Sequence, residues 1–390
     1  MVSSPETALL ADLIRCPSVT PAEEGVLAIL EAFLTPLGFE CTRLKFEGGS
    51  SYPVDNLYAT RKGNREGFHL LFAGHTDVVP PGDLDAWTHG PFSAEIVDGV
   101  IWGRGATDMK SGVAAFCAAL LKAHDSGVLD HGSVSLAITN DEEADAVNGT
   151  RKLMEWAQAQ GEKFDFAIVG EPSSFEIFGD SIKIGRRGSV SGRVTVEGKQ
   201  GHSAYPERAR NPMPALASIA TTLDAPFDRG TEHFQPTNLE VTSLDTGNPA
   251  SNVIPAKGTL RFNVRFNDTW AGETLLAEIE RRIANADLRG CTARMEVLGP
   301  ISKCFICPPD GSVATLRKVM EAYTGIAPNL ATGGGTSDAR FIADYCPVVE
   351  CGLVGATMHQ VDERVPVADV EKLTGLYAKI IEAFMTGDGR

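Results

Sequence analysis

The chain has 390 residues, of which 43% are hydrophobic and 22% are charged, and its formal net charge is -16. Because one hydrophobic core rarely supports so long a chain, we expect two domains. The negative charge disfavours nucleic acids and anionic membranes as main partners, although a local arginine cluster can still bind a small anion.

Strand-like and helix-like segments alternate from the start of the chain to about residue 180. Each apolar run of strand length is followed by polar residues, and segments with helical spacing lie between or after these runs. This alternation predicts an α/β domain with a mainly parallel sheet. The strand-like runs are 68–74 (FHLLFAG), 133–139 (SVSLAIT) and 164–170 (FDFAIVG), and the helix-like segments are 111–124 (SGVAAFCAALLKAH) and 150–160 (TRKLMEWAQAQ).

The pattern changes after 183–189 (KIGRRGS), because two of the strands predicted beyond it follow one another without a helix between them. The order of the segments is β-α-β-β-α-β, which predicts a compact ferredoxin-like domain inserted into the first one. The segments are strand 189–198, helix 211–225, strands 237–244 and 258–267, helix 271–286 and strand 291–299.

The α/β pattern resumes beyond about residue 298. It continues with a helix over 311–325, a strand over 346–355 and a C-terminal helix from Val370. We therefore predict a discontinuous catalytic domain formed by residues 1–184 and 298–390, with an inserted domain over residues 185–297.

The cysteines and the apolar segments bear on the compartment. Residues 1–20 lack a basic stretch followed by an apolar core, and no apolar run approaches the length of a membrane span. The eight cysteines are scattered, which favours a reducing cytoplasm. Cys304 and Cys307 form a single C-x-x-C without a second pair or a nearby histidine, so two partly buried thiols explain them better than a zinc or redox site.

The sequence 137–150 (AITNDEEADAVNGT) places Glu142 and Glu143 side by side just after a predicted strand. Adjacent residues at a strand end point in different directions, so the two carboxylates are expected to have different roles. By itself the stretch is more simply explained as a solvated acidic loop.

Other polar residues lie at comparable places: His75, Asp108, Glu171 and His359. The carboxyl ends of strands in an open α/β sheet meet at one edge, so these loops can converge. Two histidines and several carboxylates suit a pair of divalent metals, and one carboxylate can bridge two ions. Asp77 lies where a carboxylate would hold the imidazole of His75. Taken singly, each residue has a simpler explanation. A lone histidine after a strand is more often a hydrogen-bonded structural residue than a ligand, Asp108 can cap the helix that follows, and Glu171 before Pro172 can be a turn residue.

Competing chemistries find less support in the sequence. It contains no H-E-x-x-H, no G-x-S-x-G and no P-loop. The segment 333–341 (GGGTSDARF) is a glycine-rich turn into a helix, which can bind a carboxylate on backbone N–H groups or can be an ordinary tight turn.

Eight short strings, in order over nearly the whole chain, resemble the dinuclear zinc aminoacylase and carboxypeptidase family of metallopeptidases. The strings around His75 and Asp108 are shared across that family, whereas GRRGS, GKQGHSAYP and GGGTSDARF resemble its desuccinylase members more narrowly. The strings are GHTDVVPPGD (74–83), WGRGATDMKSG (102–112), TNDEEADAVNGT (139–150), VGEPSS (169–174), GRRGS (185–189), GKQGHSAYP (198–206), SNVIP (251–255) and GGGTSDARF (333–341).

The resemblance implies two divalent metal ions, with Zn2+ as the expected metal and Co2+ or Mn2+ as alternatives. Glu142 corresponds to the general base of the family. Asp77, which is placed by its spacing from His75, is expected to support catalysis with it. The implied ligands are Asp108 between the two ions, His75 and Glu171 on one ion, and Glu143 and His359 on the other.

The resemblance also implies hydrolysis of N-succinyl-LL-2,6-diaminopimelate to succinate and LL-2,6-diaminopimelate, a step in bacterial lysine and peptidoglycan precursor biosynthesis. His202 corresponds to an oxyanion donor that the inserted domain supplies to the partner subunit. The inserted domain is thus implied to be a dimerisation and lid domain of a homodimer. The implied contacts to the small anionic substrate are Arg186, Ser189, Tyr205, Asn252, Arg265 and Thr336.

Two further details depend on the resemblance. Gly355 stands where many desuccinylases carry an asparagine that helps to hold substrate, so one substrate contact is expected to differ. The family has a cis peptide bond directly after its bridging aspartate, so we expect one between Asp108 and Met109.

Two rival functions can be weighed against the desuccinylase. Another amidase of the family, such as an acetylornithine deacetylase or an aminoacylase, would use the same metal ligands, and only GRRGS, as a site for the acyl carboxylate, favours the N-succinyl substrate. A non-catalytic member would be expected to lose ligands or the base. All five ligand positions and Glu142 carry suitable residues, which favours an enzyme.

Overall fold

The computed structural model describes residues 3–49, 51–64 and 67–387. Helices and strands alternate in its first part, and the predicted α/β class is confirmed. The helices are α1 Pro5–Arg15, α2 Val26–Leu34, α3 Lys110–Asp125, α4 Thr150–Ala159, α5 Pro212–Leu223, α6 Gly272–Asn285, α7 Gly311–Thr324, α8 Ala339–Ile342 and α9 Val367–Thr386.

The strands are short in the first part of the chain and longer in the middle. They are β1 Glu40–Phe46, β2 Val54–Arg61, β3 His69–His75, β4 Ile96–Val97, β5 Val100–Trp102, β6 Ser133–Thr139, β7 Phe166–Val169, β8 Ser181–Lys183, β9 Gly185–Arg186, β10 Gly188–Glu197, β11 Gly201–His202, β12 Asn238–Asp245, β13 Val253–Ile254, β14 Lys257–Phe266, β15 Thr292–Ser302, β16 Phe305–Ile306, β17 Asn329–Ala331, β18 Val348–Glu350 and β19 Arg364–Pro366. Contacts between Cα atoms divide the chain into two compact units.

The first unit comprises Met1–Ile184, Ile306–Ala331 and Ser337–Arg390. Its central sheet has the strand order β1-β2-β6-β3-β7-β18-β8-β17 among the described residues. Strands β6, β3, β7 and β18 run parallel to one another, so their carboxyl ends lie at one edge. Every residue of β3 is buried, as expected for a strand covered on both faces.

Helix α3 packs against this sheet and carries the loop of Asp108 at its N-terminal end. Phe116 of α3 stacks on Phe72 of β3 with ring centroids 4.1 Å apart, and Tyr377 of α9 contacts both rings edge-on. Gly112 permits the close approach, because a Cβ atom there would lie 2.2 Å from the carbonyl oxygen of Gly170. Helix α3 is therefore fixed directly against the end of β7.

The second unit comprises Gly185–Phe305 and Thr332–Thr336. Its elements follow the order β10-α5-β12-β14-α6-β15, and its antiparallel sheet has the order β12-β14-β10-β15. This is the predicted ferredoxin-like arrangement. Alternate residues of β10 and β14 face a core with α5 and α6, which includes Val194, Phe262 and Leu216.

The boundaries of the units differ in detail from the predicted ones. Strand β15 continues to Ser302, beyond the predicted end of the inserted domain at residue 297. Thr332–Thr336 belongs to the second unit although the sequence pattern assigns it to the first. Two contacts explain this: the Thr332 hydroxyl donates to the carbonyl of His233, and Arg186 donates to the carbonyls of Gly333 and Gly335. Across 3–49, 51–64 and 67–387, no helix is both long and apolar enough to cross a membrane.

Candidate metal centre

His75 ends strand β3 and meets two carboxylates that come from other loops. Its side chain is 1% exposed, and its Nε2 lies 3.2 Å from Asp108 Oδ1 and 3.5 Å from Glu171 Oε1. Glu171 follows β7, the parallel neighbour of β3, so the strand ends bring these side chains together.

His359 lies on the other side of Asp108, in the loop between β18 and β19. Its Nε2 is 3.1 Å from Glu143 Oε1 and 3.4 Å from Asp108 Oδ2. The two oxygens of Asp108 thus face different histidines. The structure brings together the side chains of all five predicted ligands.

The peptide bond between Asp108 and Met109 is cis, as predicted. Asp108 is 8% exposed and lies one residue before Met109, which is the N-cap of helix α3 and makes no side-chain cap hydrogen bond. The carboxylate of Asp108 is therefore available to the two histidines.

The charges of the two histidines and their carboxylate partners shift one another's pKa values. Burial lowers the pKa of His75, but hydrogen bonds with Asp108, Asp77 and Glu171 raise it well above its usual range. Asp108 and Glu143 raise the pKa of His359 to about 10. Burial opposes ionisation of Asp108, yet the two histidines hold its pKa well below the usual value.

Glu171 and Glu142 have raised pKa values, because both are buried next to other carboxylates. Burial and the neighbouring Asp108 raise the pKa of Glu171 to about 8. Burial and Glu171 raise the pKa of Glu142 well above its ordinary value. Such crowding of acidic groups is relieved by a bound cation, so the donor set fits a metal centre.

Two sets of donor atoms in this cluster lie close enough to hold an ion. His75, Asp108 and Glu143 each offer one atom within 4.8 Å of the others, and so do His75, Glu142 and Glu171. Imidazole and carboxylate ligands suit zinc and, with less preference, cobalt and manganese. Among the described residues, neither set includes a cysteine.

The carboxylate of Asp77 holds the loop of the paired glutamates. Its Oδ1 accepts the backbone N–H of Glu142 at 3.3 Å, and its Oδ2 accepts that of Glu143 at 3.1 Å and the hydroxyl of Thr20 at 2.7 Å. His75 Nδ1 lies 2.9 Å from the backbone oxygen of Asp77 and 3.5 Å from its Oδ1. The imidazole is thus held mainly by the carbonyl, whereas the sequence suggested the carboxylate.

The loop after β6 separates the side chains of the two glutamates. The carboxyl group of Glu143 faces His359, whereas that of Glu142 belongs to the set with His75 and Glu171. Asp141 shapes the loop, because its Oδ2 accepts the N–H groups of Val147 and Asn148 at 2.9 and 2.8 Å. The two neighbouring carboxylates therefore have different surroundings, as their adjacency suggested.

The loop before His359 contains Gly355. A Cβ atom at this position would lie 2.9 Å from Met358 Cε and 3.2 Å from Pro172 Cβ. A larger residue would therefore require the flexible end of Met358 to move.

The predicted residues of the second unit include an exposed pair of rings. His202 ends β11, and its Nδ1 accepts the backbone N–H of Ala204 at 3.0 Å. Tyr205 is 50% exposed, and the guanidinium of Arg208 lies 5.0 Å from its ring centroid. The backbone oxygen of Asn252 accepts the N–H of Ser203 at 3.0 Å. His202, Tyr205 and Asn252 are thus neighbours within one loop region.

The other predicted residues of this unit surround an arginine cluster. Ser189 and Arg265 are cross-strand partners in β10 and β14, and Thr336 lies in the segment whose carbonyls accept from Arg186. Burial and the neighbouring Arg187 and Arg186 lower the pKa of Arg265.

Arg187 belongs to the same cluster but was not predicted as a substrate contact. Within the described part of the chain, Arg265 Nη1 and Arg187 Nε are buried and have no hydrogen-bond partner. Unsatisfied guanidinium donors next to one another are suited to a carboxylate. Arg187 is the second arginine of GRRGS, so this motif could have indicated it as a substrate contact.

Cys304 and Cys307 remain thiols in the structure. Burial raises the pKa of Cys304 to about 12 and that of Cys307 to about 11. Both are free cysteines, which agrees with the prediction of two partly buried thiols.

Comparison with known proteins places the chain among close relatives. It is 52% identical over 387 residues to a protein of Rhodopseudomonas palustris (strain TIE-1) named succinyl-diaminopimelate desuccinylase, covering 98% of this chain and 100% of the relative. It is 53% identical over 378 residues to a protein of the same name from strain HaA2, covering 95% and 97%.

Solved structures share the fold at lower identity. An M20 family metallo-carboxypeptidase from Sulfolobus solfataricus superposes with a TM-score of 0.79 at 18% identity, covering 98% of this chain and 99% of the other. A Bacillus subtilis protein described as a dinuclear metal binding peptidase from the M20 family gives a TM-score of 0.67 at 17% identity, covering 99% and 98%. The sequence model of Peptidase family M20/M25/M40 matches residues 71–383. The chain therefore belongs to the M20/M25/M40 peptidase family.

Proposed function

We propose that this chain is a metal-dependent amidohydrolase that cleaves N-succinyl-LL-2,6-diaminopimelate into succinate and LL-2,6-diaminopimelate. The observation that carries the proposal is the position of Asp108 between His75 and His359, in a chain 52% identical to proteins named succinyl-diaminopimelate desuccinylase. The reaction belongs to bacterial lysine and peptidoglycan precursor biosynthesis, and we propose that it takes place in the cytoplasm.

The metal centre is proposed to hold two divalent ions, with Zn2+ as the first choice. His75 and Glu171 would bind one ion, Glu143 and His359 the other, and Asp108 both. When bound, such ions lower the pKa of water and polarise an amide carbonyl. This division is supported by the carboxylate of Asp108, whose Oδ1 lies near His75 and whose Oδ2 lies near His359.

Glu142 is proposed as the general base. Its carboxyl group lies in the set with His75 and Glu171, whereas Oε1 of Glu143 lies 3.1 Å from His359 Nε2. Glu142 would accept a proton from the attacking water and pass it to the nitrogen of the departing amine. Asp77 would keep the base in place through the backbone N–H of Glu142.

His202 is proposed to donate a hydrogen bond to the oxygen of the reacting carbonyl, in the active site of the partner subunit of a homodimer. Its Nε2 is available for this role because Nδ1 already accepts the N–H of Ala204. A neutral imidazole with an acceptor at Nδ1 carries its proton on Nε2.

The arginine cluster of the second unit is proposed to bind carboxylates of the substrate. The buried donors of Arg265 and Arg187 lack partners among the described residues, and a carboxylate would satisfy both charge and hydrogen bonding. An N-acetyl substrate lacks the acyl carboxylate, so its transition state would leave such donors unsatisfied. We therefore propose a preference for N-succinyl over N-acetyl amino acids.

The proposal is tested by measuring free amine released from N-succinyl-LL-2,6-diaminopimelate before chelation, after chelation, and after Zn2+, Co2+ or Mn2+ is added back. Turnover should disappear with the metal and return with at least one of the ions. N-acetylornithine, assayed side by side, should react at a much lower rate. Comparable turnover of the two substrates, or full activity without metal, would contradict the proposal.

A further inference from the structure

Glu363 is a buried carboxylate in the loop after His359, and it does not touch the histidine itself. It is 0% exposed, and both of its oxygens accept hydrogen bonds from the segment that leads to Asp108. Oε1 accepts the backbone N–H of Thr107 at 2.8 Å and that of Asp108 at 3.1 Å. Oε2 accepts the backbone N–H of Gly105 at 3.1 Å and Nη1 of Arg104 at 2.7 Å.

Arg104 extends this connection to the loop that carries His359. Its side chain is 3% exposed, and Nη1 donates to the carbonyl of Gln360 at 3.1 Å as well as to Glu363. The backbone N–H of Gly103 donates to the carbonyl of Glu363 at 2.9 Å. The two loops are thus joined by a buried ion pair and by backbone hydrogen bonds on both sides of it.

The backbone of the joined loops needs such support. His359 has φ 61° and Asp362 has φ 62°, in the left-handed region that residues other than glycine rarely adopt. Conformations of this kind persist where the surroundings fix them, and they cluster at functional sites. The conformation of the His359 loop therefore depends on contacts outside the loop, and Glu363 provides several of them.

We infer that Glu363 is a positioning residue for the metal centre, which sets the Asp108 carboxylate relative to His359. The inference rests on the proposed function, because it assumes that these two residues share an ion. It follows from the contacts: one carboxylate fixes the N–H of Asp108 and also belongs to the loop of His359. Residues that orient metal ligands typically change metal affinity ten- to a hundredfold when they are replaced.

The variant Glu363→Gln separates this role from simple stabilisation of the fold. The glutamine amide keeps one acceptor oxygen but presents an NH2 donor to N–H groups of the Asp108 segment or to Arg104. The matched control is Asp180→Asn. Asp180 also accepts three backbone N–H groups, from Phe175, Glu176 and Ile177, in the turn that ends the loop between β7 and β8. Glu171 begins the same loop, so this control also tests whether a weakened turn elsewhere in a ligand-bearing loop is enough to change metal binding.

The experiment titrates Zn2+ into metal-free wild type, Glu363→Gln and Asp180→Asn by calorimetry, and it records the visible spectrum of the Co2+ forms. Glu363→Gln should bind at least one ion ten- to a hundredfold more weakly, with altered Co2+ bands. Asp180→Asn should lower the unfolding temperature while leaving affinity and spectrum unchanged. If Glu363→Gln does not fold, Glu363→Asp, which keeps the charge on a shorter side chain, should show the same selective loss.

The experiment distinguishes failure of the inference about Glu363 from failure of the proposed metal-dependent function. Wild-type affinities and an unchanged Co2+ spectrum in the folded Glu363 variant would overturn the inference while leaving the proposed function intact. An equal loss of affinity in Asp180→Asn would also overturn it, since any destabilised loop would then have the same effect. A wild-type chain that binds no divalent ion would overturn the proposed function, and the inference with it.

Discussion

The carboxylate of Asp77 accepts the backbone N–H of Glu143 at 3.1 Å, although the two residues are 66 positions apart in the sequence. Its other oxygen holds the N–H of Glu142. The carboxylate of Asp77, which follows β3, therefore fixes the backbone positions of both Glu142 and Glu143, which follow β6. The proposed base and a proposed ligand depend on the same anchor.

Replacing Asp77 by asparagine should displace both glutamates. The amide NH2 would face one of the two N–H donors, so we expect turnover to fall by about ten- to a hundredfold, together with weaker binding of the ion at Glu143. The measurement is kcat with metal content on the same sample. Thr20→Val removes only the hydroxyl that donates to Asp77, and it should have a smaller effect of the same kind. Full activity in Asp77→Asn would contradict the role of this anchor.

The paired glutamates should respond differently to the same substitution. Glu142→Gln should abolish turnover and leave the metal content near that of the wild type, because only the proton acceptor is lost. Glu143→Gln should lose one ion as well, since its carboxylate faces His359. Kinetics combined with metal analysis distinguishes the two. Loss of an ion in the Glu142 variant, with both ions retained in the Glu143 variant, would reverse the assignment.

Complementation tests whether His202 acts in the partner subunit. His202→Ala and Glu142→Ala should each be inactive, but their heterodimer should have one working site. In that heterodimer the His202→Ala subunit keeps its own Glu142 and receives His202 from its partner. About half of the sites should be active in purified heterodimers made by co-expression. Activity no greater than that of either parent would exclude the arrangement in trans.

The stability of the second unit should depend on Asp228 in a pH-dependent way. Its oxygens accept hydrogen bonds from Gly230 N, Asn267 Nδ2 and Trp270 Nε1 at 2.7 to 2.8 Å. Burial alone would raise the pKa of Asp228, but hydrogen bonds from Thr237, Trp270 and Gly230 lower it to about 2. The ionised form therefore stabilises the folded state above the unfolded pKa of about 3.9. That contribution is lost as the pH falls towards about 2.

Asp228→Asn should accordingly lower the free energy of unfolding at pH 7 by about 1 to 2 kcal/mol, a range that allows for solvent screening. The difference from the wild type should shrink as the pH falls from 4 to 2. Urea unfolding followed by tryptophan fluorescence measures it at each pH. Asp245→Asn is the control, because Asp245 is exposed and its carboxylate accepts the N–H of Gly247 alone at 2.7 Å among the bonds observed. A pH-independent difference would contradict the assignment.

The location of the candidate site could be predicted because parallel strands end at one edge. His75 and Glu171 follow neighbouring strands, and His359 follows β18, the next strand along. The roles of Asp77 and Glu363 could not be predicted in the same way. Both carboxylates accept hydrogen bonds from backbone N–H groups that are distant in sequence. Nearly every residue type has such a group, so no sequence motif shows which one will be bound.

The membership of Thr332–Thr336 in the second unit illustrates the same limit. The flanking segments have the apolar spacing of the first unit, and the glycines between them indicate only a turn. Two contacts place this segment in the second unit. Thr332 donates to the carbonyl of His233, and Arg186 donates to the carbonyls of Gly333 and Gly335. Such contacts depend on the folded arrangement of β9 and the 231–235 loop, which no local pattern contains.

The separation of the proposed ligands along the chain has a consequence for the synthesis of the protein. Glu143 and His359 are 216 positions apart, and the whole inserted unit is translated between them. Contacts over such a distance form late, because the loop between them must close first. A chain still attached to the ribosome carries His75, Asp108 and Glu171 long before His359 emerges. Because metal affinity is coupled to folding, tight uptake of an ion at the proposed His359 position would mark the molecules whose C-terminal part has docked.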